Sequence, residues 1–371
     1  MQTAISNCTI FTGEEIIRDA VIVTEQDIII AIQKEIPPHS KHIDLGGKNI
    51  AAGFLDIQVN GGHELYFSEH LNEAAIHDIC QASLQYGTTH VLPCLISSSQ
   101  ENILKGIETV KHFMHTHGEG VVGMHLEGPF INPAKRGAHV KELVRKPTNA
   151  ELEEIIKYGC DVIKVMTIAP ECFTDAQLDM LLESGIVLSA GHSEMTCEQA
   201  LRYFDKGIRL VTHLYNAMTQ MEHRAPGLVG ATFTNGDVYA PIILDGAHCD
   251  YAAAKIALKQ KEDKLFLISD AAFLGRKVQS FSWGNFDATL MDGFYRNKEG
   301  KLAGAAISMA EAVQNAMQYL EVSLVKAIAM ATVHPAKAIG MENNIGYIKP
   351  GYQARFVVFN DEFSQYETLI A

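Results

Sequence analysis

Eight short apolar runs recur between residues 52 and 270, and most are continuously apolar rather than alternating. They cover residues 53–59, 88–95, 121–126, 162–168, 186–190, 209–212, 240–244 and 265–269. A strand that is apolar on both faces must be covered on both, the condition of parallel strands layered with helices. The intervening segments agree. Residues 73–86, 99–115, 149–158, 174–184, 197–206 and 251–260 combine apolar positions at helical spacing with a charged face. Eight strands with helices between them predict an α/β chain, a (β/α)₈ TIM-like barrel over residues 51–340. Barrels of this kind take about 250 residues, so a chain of 371 has room for a second, smaller unit.

Chemistry in such a barrel belongs at the C-terminal ends of the strands, and here those ends carry Gln58, Glu127, His192, His213, Asp245 and Asp270. Glu127 ends a buried run, where a carboxylate survives only if something pairs with it. A lone histidine at a strand end is more often a satisfied core residue than a ligand. Glu127, His192 and His213 together, at runs three, five and six, make a three-ligand metal site with a position left for water. A divalent ion there would lower the pKa of water and polarise a carbonyl, as amide hydrolysis requires. The chain therefore reads as a metal-dependent hydrolase.

Asp270 is the carboxylate placed to take a proton from water and return it to a leaving amine; its bland alternative is a helix cap. His248, after Asp245-Gly246-Ala247, is placed to polarise the carbonyl or hold an oxyanion. The turn from His213 to Met218 offers backbone N–H groups and the Asn216 amide to an anion or hydroxyls. Arg224, before Ala225-Pro226-Gly227, is a candidate phosphate clamp, with a solvated surface arginine as the alternative. His115-Thr116-His117 resembles a metal-binding pair but ends a helical segment, and reads as a solvent-facing cluster.

The net charge of -14 argues against nucleic acid, whose phosphates demand a basic face, without excluding a small anion. No apolar run approaches the roughly 20 residues of a membrane span, and the N-terminus lacks the pattern of a secretion signal. Seven dispersed cysteines without a Cys-x-x-Cys pair read as reduced thiols, which predicts a cytoplasmic protein. Of these, Cys94 and Cys249 lie near strand ends and read as packing residues. Residues 1–50 and 341–371 hold further β-like runs, expected to pair into a small β-sandwich domain. Residues 271–303, with the single Trp283, read as an irregular excursion serving as a lid or a surface hairpin.

Several segments together resemble the N-acetylglucosamine-6-phosphate deacetylase family of the amidohydrolase superfamily. They are residues 53–62, 125–130, 191–193, 212–218, 224–230, 245–250, 269–271 and 332–340, in order along nearly the whole chain. Thr212-His213-Leu214-Tyr215-Asn216-Ala217-Met218 is the most specific. The resemblance implies hydrolysis of N-acetyl-D-glucosamine 6-phosphate to D-glucosamine 6-phosphate and acetate, within amino-sugar catabolism. It implies one divalent metal per subunit, usually zinc, on Glu127, His192 and His213, with Asp270 as base and then acid. His248 would contact the acetamide carbonyl, while Ala138, His139, Asn216, Ala217, Leu302, Ala303 and Gly304 would line the sugar. Arg224 would bind the 6-phosphate in the neighbouring subunit's site, which implies a homodimer.

Two departures stand out. Many amidohydrolases carry His-x-His at the first strand, where this chain has Gln58-Val59-Asn60. Amides are poor zinc ligands, so a second metal is not expected, and Lys164 on strand four has no bridge to make. Arg355, in Ala354-Arg355, stands where an acidic residue is usual. Three rival readings are the galactosamine epimer as substrate, a dihydroorotase-like cyclic-amide hydrolase, and a non-catalytic assembly protein on this fold. Survival of all three ligands and Asp270 weighs against the last.

Overall fold

The computed structural model describes residues 1–118, 120–283, 286–298, 300 and 302–371. Its centre is a parallel array in which each strand lies beside the next in the chain. Six strands run in the order β1 (Phe54–Val59), β2 (Thr88–Ile96), β3 (Met124–Glu127), β4 (Ile163–Ile168), β5 (Val187–Ala190) and β6 (Leu210–Val211). A parallel pair follows, β7 (Ala240–Ile242) and β8 (Leu265–Leu267). Backbone hydrogen bonds join the pair to both ends of the six. Val211 N–H donates to Tyr239 O at 3.0 Å on one side, and Asp270 N–H donates to Gln58 O at 2.9 Å on the other. Every strand expected from the apolar runs is present. The third starts late because Gly123, at φ +145°, breaks it: a Cβ there would meet Val162 O at 2.5 Å.

Helices cover the array because their starts are capped and one face of each is apolar. α1 (Glu73–Leu84) and α2 (Gln100–Thr116) begin at Asn72 and Ser99, whose side chains accept backbone N–H groups. α3 (Asn149–Gly159), α4 (Asp175–Glu183) and α5 (Cys197–Lys206) each begin with a capping box, at Thr148–Glu151, Thr174–Gln177 and Thr196–Gln199. α6 (Gly227–Thr234) escaped the sequence reading because residues 227 to 232 are all buried, so it has no charged face to reveal its period. α7 (Tyr251–Lys261), α8 (Met309–Tyr319), α9 (Leu324–Ala331) and α10 (Val333–Ala338) extend the layer, the last two packing on β1 and β8.

Under the strand ends the interior is polar but satisfied. His125 binds Ile57 O and Thr167 Oγ1, and hydroxyl contacts continue through Thr212 to Ser189 at 2.6–3.0 Å. Burial without lost hydrogen bonds explains how four polar residues sit in this core.

Both chain ends build two further sheets. One has four strands (Ile28–Gln33, Val21–Glu25, Thr3–Ser6, Lys41–Asp44) and the other five, including Asn49–Ala52, Thr9–Phe11 and Arg355–Phe359. Ile5, Ile22 and Ile29 from the first share an apolar cluster with Ile10, Ile50 and Phe356 from the second. The expected boundary after residue 50 falls inside the Asn49–Ala52 strand, which continues across it. Residues 271–303 correct the expectation of an irregular excursion: Ser280–Trp283, Phe286–Met291 and Phe294–Arg296 form an antiparallel sheet. Positions 284, 285, 299 and 301 of that segment lie outside the described residues. The sheet packs Phe281, Ala288 and Tyr295 against Tyr66, Cys94 and Ile96. Among the described residues, no helix is long and apolar enough to cross a membrane.

Candidate active site

Three side chains meet where β3, β5 and β6 end. His192 Nε2 lies 3.1 Å and His213 Nε2 3.0 Å from the same oxygen, Glu127 Oε1, and the two nitrogens are 3.2 Å apart. All three residues are buried. His192 and His213 sit at φ 48° and 28°, and Asp270 at φ 45°, left-handed conformations that cost about 1–3 kcal/mol each and concentrate at functional sites. The bends turn the side chains out of their strands and towards one point.

A second triplet is also close: single ligand atoms of Glu127, His139 and His192 lie within 4.8 Å of one another. Tautomers separate the two. Ser97 N–H donates to His139 Nδ1 at 3.2 Å, so a neutral His139 carries its proton on Nε2, which faces Glu127 Oε2 at 3.9 Å. That makes His139 a hydrogen-bond donor. His192 is the reverse: Nδ1–H donates to Lys135 O at 2.8 Å, leaving the Nε2 lone pair for a metal. His213 Nδ1 is buried without a hydrogen-bond partner. Atoms 3.0–3.2 Å apart need little rearrangement to stand at the 2.0–2.2 Å distances of a divalent ion. The donor set of one carboxylate and two imidazoles fits such an ion, and Glu127, His192 and His213 are the residues that would hold it.

Charge on Glu127 follows from its partners. Burial pushes the carboxyl up, but the contacts with His192 and His213 outweigh it and hold the group well below the usual range. Burial pulls His213 down, and the Glu127 hydrogen bond and charge reverse that into a net rise. Asp270 is pushed up to about 6, by burial first and then by the charge of Glu127.

Asp270 Oδ1 accepts from Asn60 Nδ2 at 2.9 Å and Gln58 Nε2 at 3.2 Å. The two amides that stand in place of the first-strand histidines therefore orient the Asp270 carboxylate, a contact the sequence alone did not disclose. Asp56, two positions earlier, accepts from Gln58 N–H and Ser269 N–H, both at 3.2 Å, and ties β1 to the end of β8. His248 Nδ1–H donates to Asp245 Oδ2 at 2.7 Å, while Asp245 Oδ1 takes the N–H groups of Ala247 and His248. Burial raises the Asp245 carboxyl, yet its hydrogen bond with His248 brings it below its ordinary value.

One cavity of about 190 Å³ gathers these groups. Its lining includes the three ligand candidates, Asp270 and His248, together with Ala138, His139, Asn216, Ala217, Leu302, Ala303 and Gly304. Arg224 is the exception. It is exposed at the tip of a tight turn in which Glu222 and Ala225 exchange backbone hydrogen bonds at 3.1 Å, and it is not among the residues that line the cavity. Residues missed by sequence reasoning include Tyr66, which lines the cavity, and Ser97, which fixes His139. Cys94, expected as packing, is buried but also reaches Glu127, with Sγ 3.7 Å from Oε2. Lys164 is half-buried, and its Nζ donates to Asp161 O at 3.1 Å. His115 is exposed, and its neighbours His112 and His117 pair with Glu73 on the surface.

Residues 49–370 match the model of the Amidohydrolase family, and residues 3–50 match the NagA composite domain. The chain belongs to the amidohydrolase family. This amidohydrolase is 34% identical to N-acetylglucosamine-6-phosphate deacetylase of Haemophilus influenzae, over 100% of its length and 98% of that protein. It is 35% identical to N-acetylgalactosamine-6-phosphate deacetylase of Shewanella sp. (strain ANA-3), over 89% of this chain and 84% of that one. Among solved structures, N-acetylglucosamine-6-phosphate deacetylase from Pasteurella multocida superposes with a TM-score of 0.93 at 32% identity, covering 100% and 97% of the two chains. A Mycobacterium smegmatis mutant in complex with N-acetyl-D-glucosamine-6-phosphate gives a TM-score of 0.87 at 26% identity, covering 98% and 96%.

Proposed function

We propose that the protein hydrolyses N-acetyl-D-glucosamine 6-phosphate to D-glucosamine 6-phosphate and acetate. The observation that carries this is the convergence of Glu127, His192 and His213 within 3.0–3.2 Å, beside an oriented Asp270. Full-length similarity to deacetylases of that substrate supports it. A divalent ion on the three ligands, zinc in our reading, supplies Lewis acidity towards water and the carbonyl.

The chain's own residues do the rest. Asp270, with Oδ1 fixed by Asn60 and Gln58, takes the proton of the attacking water and delivers it to the departing amine nitrogen. A cation beside it opposes the push of Glu127 and favours the carboxylate form. His248, held through Nδ1 by Asp245, turns Nε2 towards the acetamide oxygen and is placed to stabilise the charge that develops there. His139 offers Nε2–H to the sugar, and the Asn216–Ala217 turn offers backbone groups to its hydroxyls.

In this reading the eight strands close into a (β/α)₈ barrel over residues 51–340. The sheets of residues 1–50 and 341–371 form a β-sandwich beside it. Bonds on both sides of the β7–β8 pair support closure. Arg224 holds the 6-phosphate in the site of a second copy, so the enzyme works as a cytoplasmic homodimer; its exposure on a projecting turn supports that role.

The galacto epimer is the second reading, favoured by the Shewanella relative. Acetate release from both epimers tests the assignment. The expected result is a higher kcat/KM on the gluco substrate, and a higher value on the galacto substrate reverses it.

A further inference from the structure

The cavity lining includes two unlike sets of residues. One is His139, His192, His213, Asn216 and His248. The other is Tyr66, Ile96, Ala272 and Ala303, all members of a single apolar cluster built with the three-stranded sheet. Glu127 and Asp270 line the same cavity as both sets.

The substrate's acyl carbon is trigonal, so its three substituents point apart in one plane. Its oxygen faces His248 and the ligand cluster, and its nitrogen leads to the sugar and the polar set. The acyl methyl is left, and the surface suited to it is that of the apolar set.

We propose that Tyr66, Ile96, Ala272 and Ala303 form the acyl-group subsite, with the Tyr66 ring setting its depth and restricting the enzyme to acetyl. The proposal rests on the deacetylase reading above and names the part of that site that measures the acyl chain.

Tyr66 is built to be a rigid stop. It is 6% exposed, and its ring stacks on Phe281 at 5.6 Å and 30° and meets Phe273 at 5.9 Å and Trp283 at 6.3 Å. Its backbone is bridged to Gly61, and Phe67 N–H donates to Asn60 O at 2.9 Å. A ring held by three aromatic neighbours cannot swing aside for a longer chain without disturbing their packing. Ala272 and Ala303 reach the cavity with small side chains, which leaves the tyrosine as the largest group of this set.

The test compares N-acetyl, N-propionyl and N-butyryl glucosamine 6-phosphate as substrates of the zinc-loaded enzyme. Wild type should prefer acetyl over propionyl by about 10- to 200-fold in kcat/KM, the range one methylene commands in an apolar pocket. Tyr66→Ala should lower that preference about tenfold or more. Tyr66→Phe, which keeps the ring, should preserve it. Ile96→Ala, in the same set, should shift it in the direction of Tyr66→Ala and serves if that variant does not fold. Normal acetate release with an unchanged acyl preference in Tyr66→Ala and Ile96→Ala overturns the subsite alone. Failure of wild type to release acid from any of the three overturns the deacetylase reading, and the subsite falls with it.

Discussion

At the scale of single residues, hydrogen-bond partners decide what each group can do. His139 and His192 are both buried histidines beside Glu127, yet a backbone N–H on one Nδ1 and a carbonyl on the other give them opposite tautomers. One presents a proton towards Glu127 and the other a lone pair. Asp270 depends similarly on Asn60 and Gln58, whose amides occupy one carboxylate oxygen. Replacing Asn60 with Ala should lower kcat about 10- to 100-fold with little change in KM, the usual effect of losing an orienting partner. Asp270→Asn should lower kcat by about 10²–10⁴. Metal content should stay at the wild-type level in both, measured by elemental analysis beside steady-state kinetics. Full activity in Asp270→Asn removes that residue from the mechanism. The gathering of Glu127, His192, His213 and Asp270 in one cavity was legible in the sequence because carboxylate and imidazole at the ends of apolar runs conflict with packing. The Asn60 and Gln58 role was not legible, since it depends on β8 returning beside β1, a contact between residues more than 200 positions apart.

Among elements, strands were easier to read than their coverings. Continuous apolar runs located all eight parallel strands, while α6 stayed hidden because it is buried all round. The three-stranded sheet after β8 was also missed: its first two strands alternate apolar with polar residues, but they are short, and their apolar face only makes sense against Tyr66 and Ile96. Contacts between elements carry a pH dependence as well. His90 on β2 binds Gln353 Oε1 at 3.0 Å, joining the parallel array to the C-terminal segment. Burial pulls its pKa down to about 4, from the ordinary 6.5. The unfolded chain therefore takes up this proton first, and the stability His90 contributes above pH 6.5 is lost as pH falls towards 4. Between pH 7 and pH 5 this one group should cost about 2 kcal/mol. Urea unfolding at the two values should show a smaller loss in His90→Asn than in wild type. Equal losses would mean that the ring is not held neutral.

For the whole molecule, the remaining question is where the phosphate is held. Within one chain Glu127, His192, His213, Asp270 and His248 line the cavity, whereas Arg224 is exposed on a turn and is not among the lining residues. A second copy resolves this if each Arg224 serves its partner's site. Arg224→Ala and Asp270→Asn homodimers should each be nearly inactive on the sugar phosphate. Mixed dimers regain one complete site, so an equimolar mixture refolded together should recover about a quarter of wild-type activity. No recovery would place the arginine in its own subunit or outside the reaction. Such an arrangement leaves little trace in a single sequence, because Arg224 differs from any solvated arginine only through a surface it does not share with its own chain.

The catalytic expectations rest on a single ion held by Glu127, His192 and His213. Titrating metal-depleted protein with zinc while following acetate release from N-acetyl-D-glucosamine 6-phosphate tests that claim most directly. Activity should rise from nothing and level off at one ion per chain. Release of acetate without metal, or a rise that continues to two ions per chain, would contradict it.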